Sequence, residues 1–194
     1  MDVCVTNLNK AFGAHRVLKN INMVFPSGKR TVVMGDSGCG KTTLLRILMG
    51  LETRDSGEVV GVPGRVSVVF QEDRLLEEFS AVSNIAFVAD KDVAREVILR
   101  HLEEVDLLES AFQSVSALSG GMKRRVAIVR AMLAKKELLL MDEPLKGLDE
   151  RNRDRVAAYI RRHSENLTTV IVTHAFNEIA LLDASCIKMG VVAG

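Results

Sequence analysis

Gly35-Asp36-Ser37-Gly38-Cys39-Gly40-Lys41-Thr42-Thr43 fits the spacing G-x-x-x-x-G-K-[ST]. A run of that kind gathers backbone N–H groups around one point at a helix start. The first amides of a helix lack intrahelical partners, and the helix dipole adds about half a positive charge there. Such a point takes up phosphate. Lys41 then reaches the β and γ phosphates of a nucleoside triphosphate, and the Thr42 hydroxyl reaches a magnesium ion. The flanks agree with this reading. Apolar residues 31–34 read as a buried strand, and residues 44–49 as a helix stopping at Gly50. Cys39 is either a small residue that fits the loop or a thiol activated by the helix end, whose alkylation would block the site. The first reading is the simpler.

Three more apolar runs end in chemically useful groups. Residues 66–70 lead to Gln71, residues 138–141 to Asp142-Glu143-Pro144, and residues 168–173 to His174. Strands alternating with helices imply a parallel sheet, and ligands bind at the carboxyl ends of its strands. If the four runs are parallel neighbours, their end groups converge on one triphosphate. Thr42 and Asp142 are then the natural pair to supply oxygens to magnesium, with Gln71 as a further metal candidate. Glu143, beside the metal ligand but free of it, suits a general base acting on water, a contribution of about 10²- to 10⁴-fold. Lys41, the loop amides and His174 face the charge that develops on the phosphate. Gln71 is placed to sense the γ phosphate. Plainer readings remain beside these: a loop residue for Gln71 and a packed core histidine for His174.

Ser119-Gly120-Gly121 precedes a helix read over 123–134, with Ser119 as its N-cap. Two glycines at a helix start point to something approaching the backbone closely, which makes a second anion site. Asp149 reads as the start of a helix over 150–163. Phe12, followed by Gly13, is either core packing or a face on which a nucleotide base stacks. His101 lies on an apolar helical face and reads as a packed histidine rather than a ligand.

The elements around these residues follow from pattern. Residues 1–25 read as two or three short antiparallel strands with turns at Gly13 and Asn20. Residues 50–64 read as a turn-rich connection, and the stretch 73–108 as helical with Asp92 as a cap. A last helix falls near 176–182 and a short strand around 187–189. The expected fold is α/β: a P-loop NTPase core with a mainly parallel sheet, an N-terminal antiparallel β portion and a small helical lobe. The 194 residues read as one domain, with a core lobe of about 1–72 and 124–194 and a helical lobe of about 73–123. A net charge of +1 argues against nucleic acid or an anionic membrane surface as partner. No apolar run reaches the roughly 18 residues of a spanning helix, and the N-terminus carries no signal pattern, so a cytoplasmic location is expected. Cys4, Cys39 and Cys186 make neither a disulfide framework nor a metal site.

With these residues in hand, nearly all of the chain resembles the ATP-binding subunits of ABC transporters. The run 35–42 looks like the Walker A motif, Gln71 like the Q-loop glutamine and 118–122 like the LSGGQ signature. The run 138–142 looks like Walker B with Glu143 as catalytic carboxylate, Leu148-Asp149 like the D-loop and His174 like the switch histidine. Phe12 falls where that family carries an adenine-stacking aromatic. Residues 70–76 are similar to importers of the nitrate, sulfonate and taurine type. The resemblance implies an ATPase using ATP and Mg²⁺, working as a head-to-tail dimer with a second copy or a homologous subunit. Ser119, Gly120, Gly121 and Asp149 would then act in trans. It also implies transmembrane permease subunits docked near Gln71 and residues 72–78, a substrate-binding protein as a further partner, and a place on the inner face of the cell membrane. Met122 departs from the usual glutamine, and Lys146 adds a charge near the implied dimer interface. A nucleotide-gated module without turnover, and a soluble relative acting on DNA or ribosomes, are the rival readings.

Overall fold

The computed structural model describes residues 1–190. The chain runs β1 (Val3–Phe12), β2 (His15–Phe25), β3 (Arg30–Met34), α1 (Lys41–Leu48), β4 (Ser56–Val60), β5 (Val66–Val69), α2 (Ala81–Ala86) and α3 (Arg95–Glu104). It continues through α4 (Gly120–Leu133), β6 (Leu138–Asp142), α5 (Glu150–His163), β7 (Thr168–Thr173), α6 (Asn177–Leu182) and β8 (Ser185–Lys188).

Five strands form one all-parallel sheet in the order β5-β6-β7-β3-β8. Every residue of β6 and β7 is buried, as an unbroken apolar run requires when both faces are covered. Alternate side chains sort to opposite faces. Leu139, Met141 and Ile171 pack with Ile128 of α4 and with Val156 and Ile160 of α5. Leu138, Leu140, Val170 and Val172 pack with Leu44 and Leu48 of α1 and with Leu8 and Phe25 of the antiparallel sheet.

The N-terminal residues form two long strands, not two or three short ones. Gly13 marks the hairpin turn, but Asn20 sits within β2 at φ +50°. There its N–H donates to Asn9 Oδ1, while the Asn7 N–H donates to Asn22 Oδ1. These amide side chains stand in for ladder partners, so the strands continue through their irregularities. The supposed turn-rich connection contains β4, which completes a second sheet in the order β2-β1-β4. Its glycines are there for close approach as much as for turning. A Cβ on Gly57 would stand 2.3 Å from the Asn7 carbonyl oxygen, and one on Gly61 2.0 Å from that of Asp2.

The stretch read as helical over 73–108 contains only α2, α3 and a last short 3₁₀ turn at Leu108–Ser110. Asp92 caps nothing: Ala94 precedes α3 without a side-chain bond. Buried Asn84 of α2 orders the preceding loop, accepting from the Leu76 N–H at 2.7 Å and donating to the carbonyls of Leu76 and Ser80. The signature helix α4 begins three residues before the expected 123, with Ser119 Oγ accepting from the Met122 N–H at 3.3 Å. No helix among the described residues is long and apolar enough to cross a membrane.

One turn into α4, Arg124 is buried and reaches past the helix to the ends of β5 and β6. Its guanidinium donates to the carbonyls of Phe70, Asp142, Glu143 and Pro144 and pairs with Asp73 at 3.0 Å. Arg124→Met should therefore cost about 3–5 kcal/mol in urea unfolding, because it strands buried acceptors and the Asp73 charge. A loss below about 1 kcal/mol would mean that the guanidinium does not hold these loops.

Candidate functional site

Because β3, β5, β6 and β7 are parallel, their carboxyl ends share one edge. A cleft of about 340 Å³ opens there, lined by Ser37, Gly38, Gly40, Lys41, Thr42, Thr43, Gln71, Asp142, Glu143 and His174, with Val17 and Lys146 on its walls. The four strand-end groups thus meet in one cleft.

The glycine-rich loop rests against β2. Gly40 lies at φ +97°, and a Cβ there would stand 2.6 Å from Leu18 Cδ2 and 2.9 Å from the Val17 carbonyl oxygen. Only glycine lets the loop seat this closely at that backbone angle. Lys41 is folded back over the loop, donating to the carbonyls of Gly35 at 2.6 Å and Asp36 at 2.9 Å. Cys39 is 2% exposed, with Sγ 4.0 Å from Lys41 Nζ. That burial favours the small-residue reading over an accessible reactive thiol.

The Thr42 hydroxyl donates to Asp142 Oδ2 at 2.9 Å, which brings two hard oxygen donors together beside Gln71. Burial pushes the Asp142 carboxyl above its ordinary range, partly offset by the Thr42 hydroxyl and raised further by the Glu143 charge. A carboxylate held at that electrostatic cost, next to a hydroxyl and an amide, fits a hard divalent cation.

Glu143 sits in the left-handed region at φ +49°. Its N–H continues the sheet ladder to the Val172 carbonyl at 2.9 Å, and its own carbonyl is held by Arg124. Thr173 Oγ1 donates to one carboxylate oxygen at 3.3 Å, and His174 Nδ1 stands 2.7 Å from the other. The Glu143 side chain is 11% exposed and that of His174 55%. His174 is therefore not a packed core histidine; it lies on the cleft rim with its inner nitrogen on the carboxylate.

Several candidate residues lie outside the cleft. Phe12, at the tip of the β1–β2 hairpin, is 49% exposed with the Lys10 ammonium 5.0 Å from its ring centroid, so it does not pack in the core. Ser119 and Gly120 are exposed at the start of α4, and Gly121 backs toward Leu148. Asp149 caps α5, accepting from the Asn152 N–H at 2.9 Å. Sequence reasoning missed Arg124, Thr173, Val17 and Glu178. Thr173 could have been found as the last residue of the strand leading to His174. Glu178 is buried on α6, and its Oε2 has no hydrogen-bond partner among the described residues.

A family model described as ABC transporter matches residues 18–146. The chain is 39% identical to "Aliphatic sulfonates import ATP-binding protein SsuB 2" of Pseudomonas syringae pv. tomato, covering 98% of this chain and 82% of that one. It is 40% identical to the SsuB 1 protein of Agrobacterium fabrum, over 91% of this chain and 67% of that one. Among solved structures, the dimeric structure of MJ0796, a bacterial ABC transporter cassette, superposes with TM-score 0.84 at 25% identity, covering 97% and 94% of the two chains. A post-hydrolysis form of that cassette bound to ADP and Pi gives TM-score 0.83 at 26% identity, covering 98% and 97%.

Burial pushes the Glu178 carboxyl above the ordinary glutamate range, and the Glu143 charge adds to this. The folded chain then binds more protons than the unfolded one between the two pKa values, so stability falls as pH rises through that window. Glu178→Gln should raise the unfolding temperature at pH 7.5, and the gain should vanish below about pH 4. A pH series of thermal unfolding tests this; a gain independent of pH would place its cause elsewhere.

Proposed function

The chain belongs to the ABC transporter family as an ATP-binding subunit, an ATPase, and on that premise we propose that it energises an importer with a second copy facing it head to tail. The observation that carries this is the pairing of two facts. Lys41, Thr42, Gln71, Asp142, Glu143 and His174 meet in one cleft. The exposed helix start at Ser119-Gly120-Gly121 lies outside it. An exposed helix N-terminus, whose first amides lack intrahelical partners, suits the γ phosphate held by a partner.

In this reading the loop amides and Lys41 bind the β and γ phosphates, with Lys41 exchanging its contacts to Gly35 and Asp36 for phosphate oxygens. Thr42, Asp142 and Gln71 hold Mg²⁺. The ion supplies charge neutralisation on the phosphates. Glu143 orients a water and accepts its proton; Thr173 and His174 fix the direction of its carboxylate. His174, exposed on the rim, exchanges its Nδ1 contact with Glu143 for the developing charge. Phe12 offers its open face to the base. Asp149, at the start of α5, faces the partner copy.

Residues 73–123 form the helical lobe of this reading, against a core of 1–72 and 124–194. Its surface carries exposed Leu76, Phe79, Phe87, Val88 and Phe112, with Phe79 and Phe87 edge to face at 5.1 Å. Exposed apolar side chains of this kind, the Phe79–Phe87 pair first, support docking by membrane-embedded subunits, and through them a place on the inner face of the membrane. The importer direction, and a substrate-binding protein as further partner, are supported by relatives whose names are those of importers.

Purified protein with ATP and Mg²⁺ should release phosphate. Glu143→Gln should lower kcat by about 10²-fold or more while stabilising an ATP-bound dimer in size-exclusion chromatography. A wild type that dimerises on ATP yet never hydrolyses it, even with its membrane subunits, would leave a nucleotide-gated binding module instead. Phe87→Asp should abolish co-purification with the membrane subunits at unchanged ATP affinity. Retained co-purification would move the docking surface elsewhere.

A further inference from the structure

Far from the cleft in sequence, α3 and the last residue of α5 bring three metal-ligating side chains together. His101 and Glu104 are three residues apart on α3 and so share a face. His163 ends α5. One ligand atom from each lies within 4.8 Å of the others. His163 Nε2 stands 3.1 and 3.0 Å from the two Glu104 oxygens, and the His101 and His163 ring centroids are 4.5 Å apart. The buried Tyr159 hydroxyl lies 2.7 Å from His101 Nδ1. That contact orients the imidazole and leaves Nε2 for another ligand.

We propose that His101, Glu104 and His163 form a binding site for a zinc-type transition-metal dication, with Tyr159 as the outer hydrogen-bond partner of His101. Two imidazoles and one carboxylate are a ligand set that Zn²⁺ takes when a fourth position is left to water. Such sites use an oxygen acceptor on the far nitrogen of a liganding histidine, and the Tyr159 hydroxyl stands in that place. Donor atoms around a tetrahedral ion at about 2.0–2.2 Å stand roughly 3.4 Å apart, so Glu104 and His163 are already within reach of one ion and His101 must close by no more than about 1.4 Å. All three residues are half-buried, which leaves a path for entry and room to rotate.

The surrounding charges set the terms. Burial, then the nearby His163, hold the His101 imidazolium below its ordinary pKa. Arg162 pairs with Glu104 at 2.8 Å, and Arg100 and Lys136 also bear on the cluster. The Arg162 side chain is 70% exposed and can leave for water when Glu104 takes up the ion. The bound ion would tie α3 to α5, two helices whose contact otherwise rests on packing and this polar cluster.

The test is a calorimetric titration of Zn²⁺ into the full chain with excess Mg²⁺ present, paralleled by Co²⁺ absorption. One zinc per chain with micromolar or tighter affinity is expected, along with the visible absorption bands of tetrahedral cobalt. His163→Ala and Glu104→Gln should each weaken binding at least tenfold, and His15→Ala should leave it unchanged. Zinc should raise the unfolding temperature of the wild type and not of His163→Ala. Circular dichroism checks that the variants fold; if His163→Ala does not, His101→Gln gives the same readout. A wild type that binds no zinc, or binding that survives these substitutions in folded protein, overturns the site and leaves an ion pair with a stacked histidine.

Discussion

One buried guanidinium sets the position of the site. Where β5 and β6 leave the sheet, their last carbonyls lose their ladder partners, and a buried unpaired carbonyl is costly. Arg124 meets that need from α4 with the planar fork of donors that only arginine has, reaching Phe70, Asp142, Glu143 and Pro144. Two turns on, Arg130 donates to the carbonyls of Asp73 and Arg74. The loop carrying Gln71 and the strand end carrying Asp142 and Glu143 are thus pinned to one helix. A lysine could not do the same, since a single ammonium cannot span both loops. The left-handed backbone of Glu143, worth about 1–3 kcal/mol of strain, persists because its N–H and its carbonyl are both held.

The charges of the site follow from that pinning. Asp142, Glu143 and Glu178 are all buried near one another. Burial drives two of them, Asp142 and Glu178, toward protonation. The nearest buried cations, Lys41 and Arg124, are engaged with backbone carbonyls. The buried cations are therefore not free for the carboxylates, which leaves exposed Lys146 on the cleft wall as the mobile charge on that side, opposite the loop amides. A triphosphate alone would satisfy the loop and repel the carboxylates. A dication between them resolves both, which is why the Thr42–Asp142 contact fits magnesium on electrostatic grounds as well as by donor type.

How much of this was legible in the sequence depended on whether the signal was local. The P-loop, the four strand ends, the Ser119 cap and the bounds of α5 and β7 are written in short spacing, apolar runs and cap residues, and all are found in the structure. The parallel convergence followed from strand–helix alternation. Partners distant in sequence were not legible. β4 was hidden because Gly57 and Gly61 read as turns, whereas their lack of a Cβ admits β1. Asn20 read as a turn because the amide that satisfies it comes from Asn9, across the hairpin. Arg124 drew no reading at all, since nothing in its own helix shows the carbonyls it meets 54 residues back and up to 20 ahead. His101 read as a packed histidine because its polar neighbours, Tyr159 and His163, are 58 residues or more away.

The same guanidinium bears on why the proposed site needs two chains. Ser119 caps α4 just five residues before Arg124, with its free amides on the surface. Any ligand that draws on those amides acts on the helix whose first turns carry Arg124. Under the proposed head-to-tail pairing, a phosphate held by the partner would therefore load the element that fixes the Glu143 backbone in this chain. Closure at one nucleotide and alignment of the base at the other become mechanically linked through a rigid helix, not through a flexible loop. The physical content of the link is specific: α4 cannot shift along its axis without pulling on the carbonyls of Asp142 and Glu143.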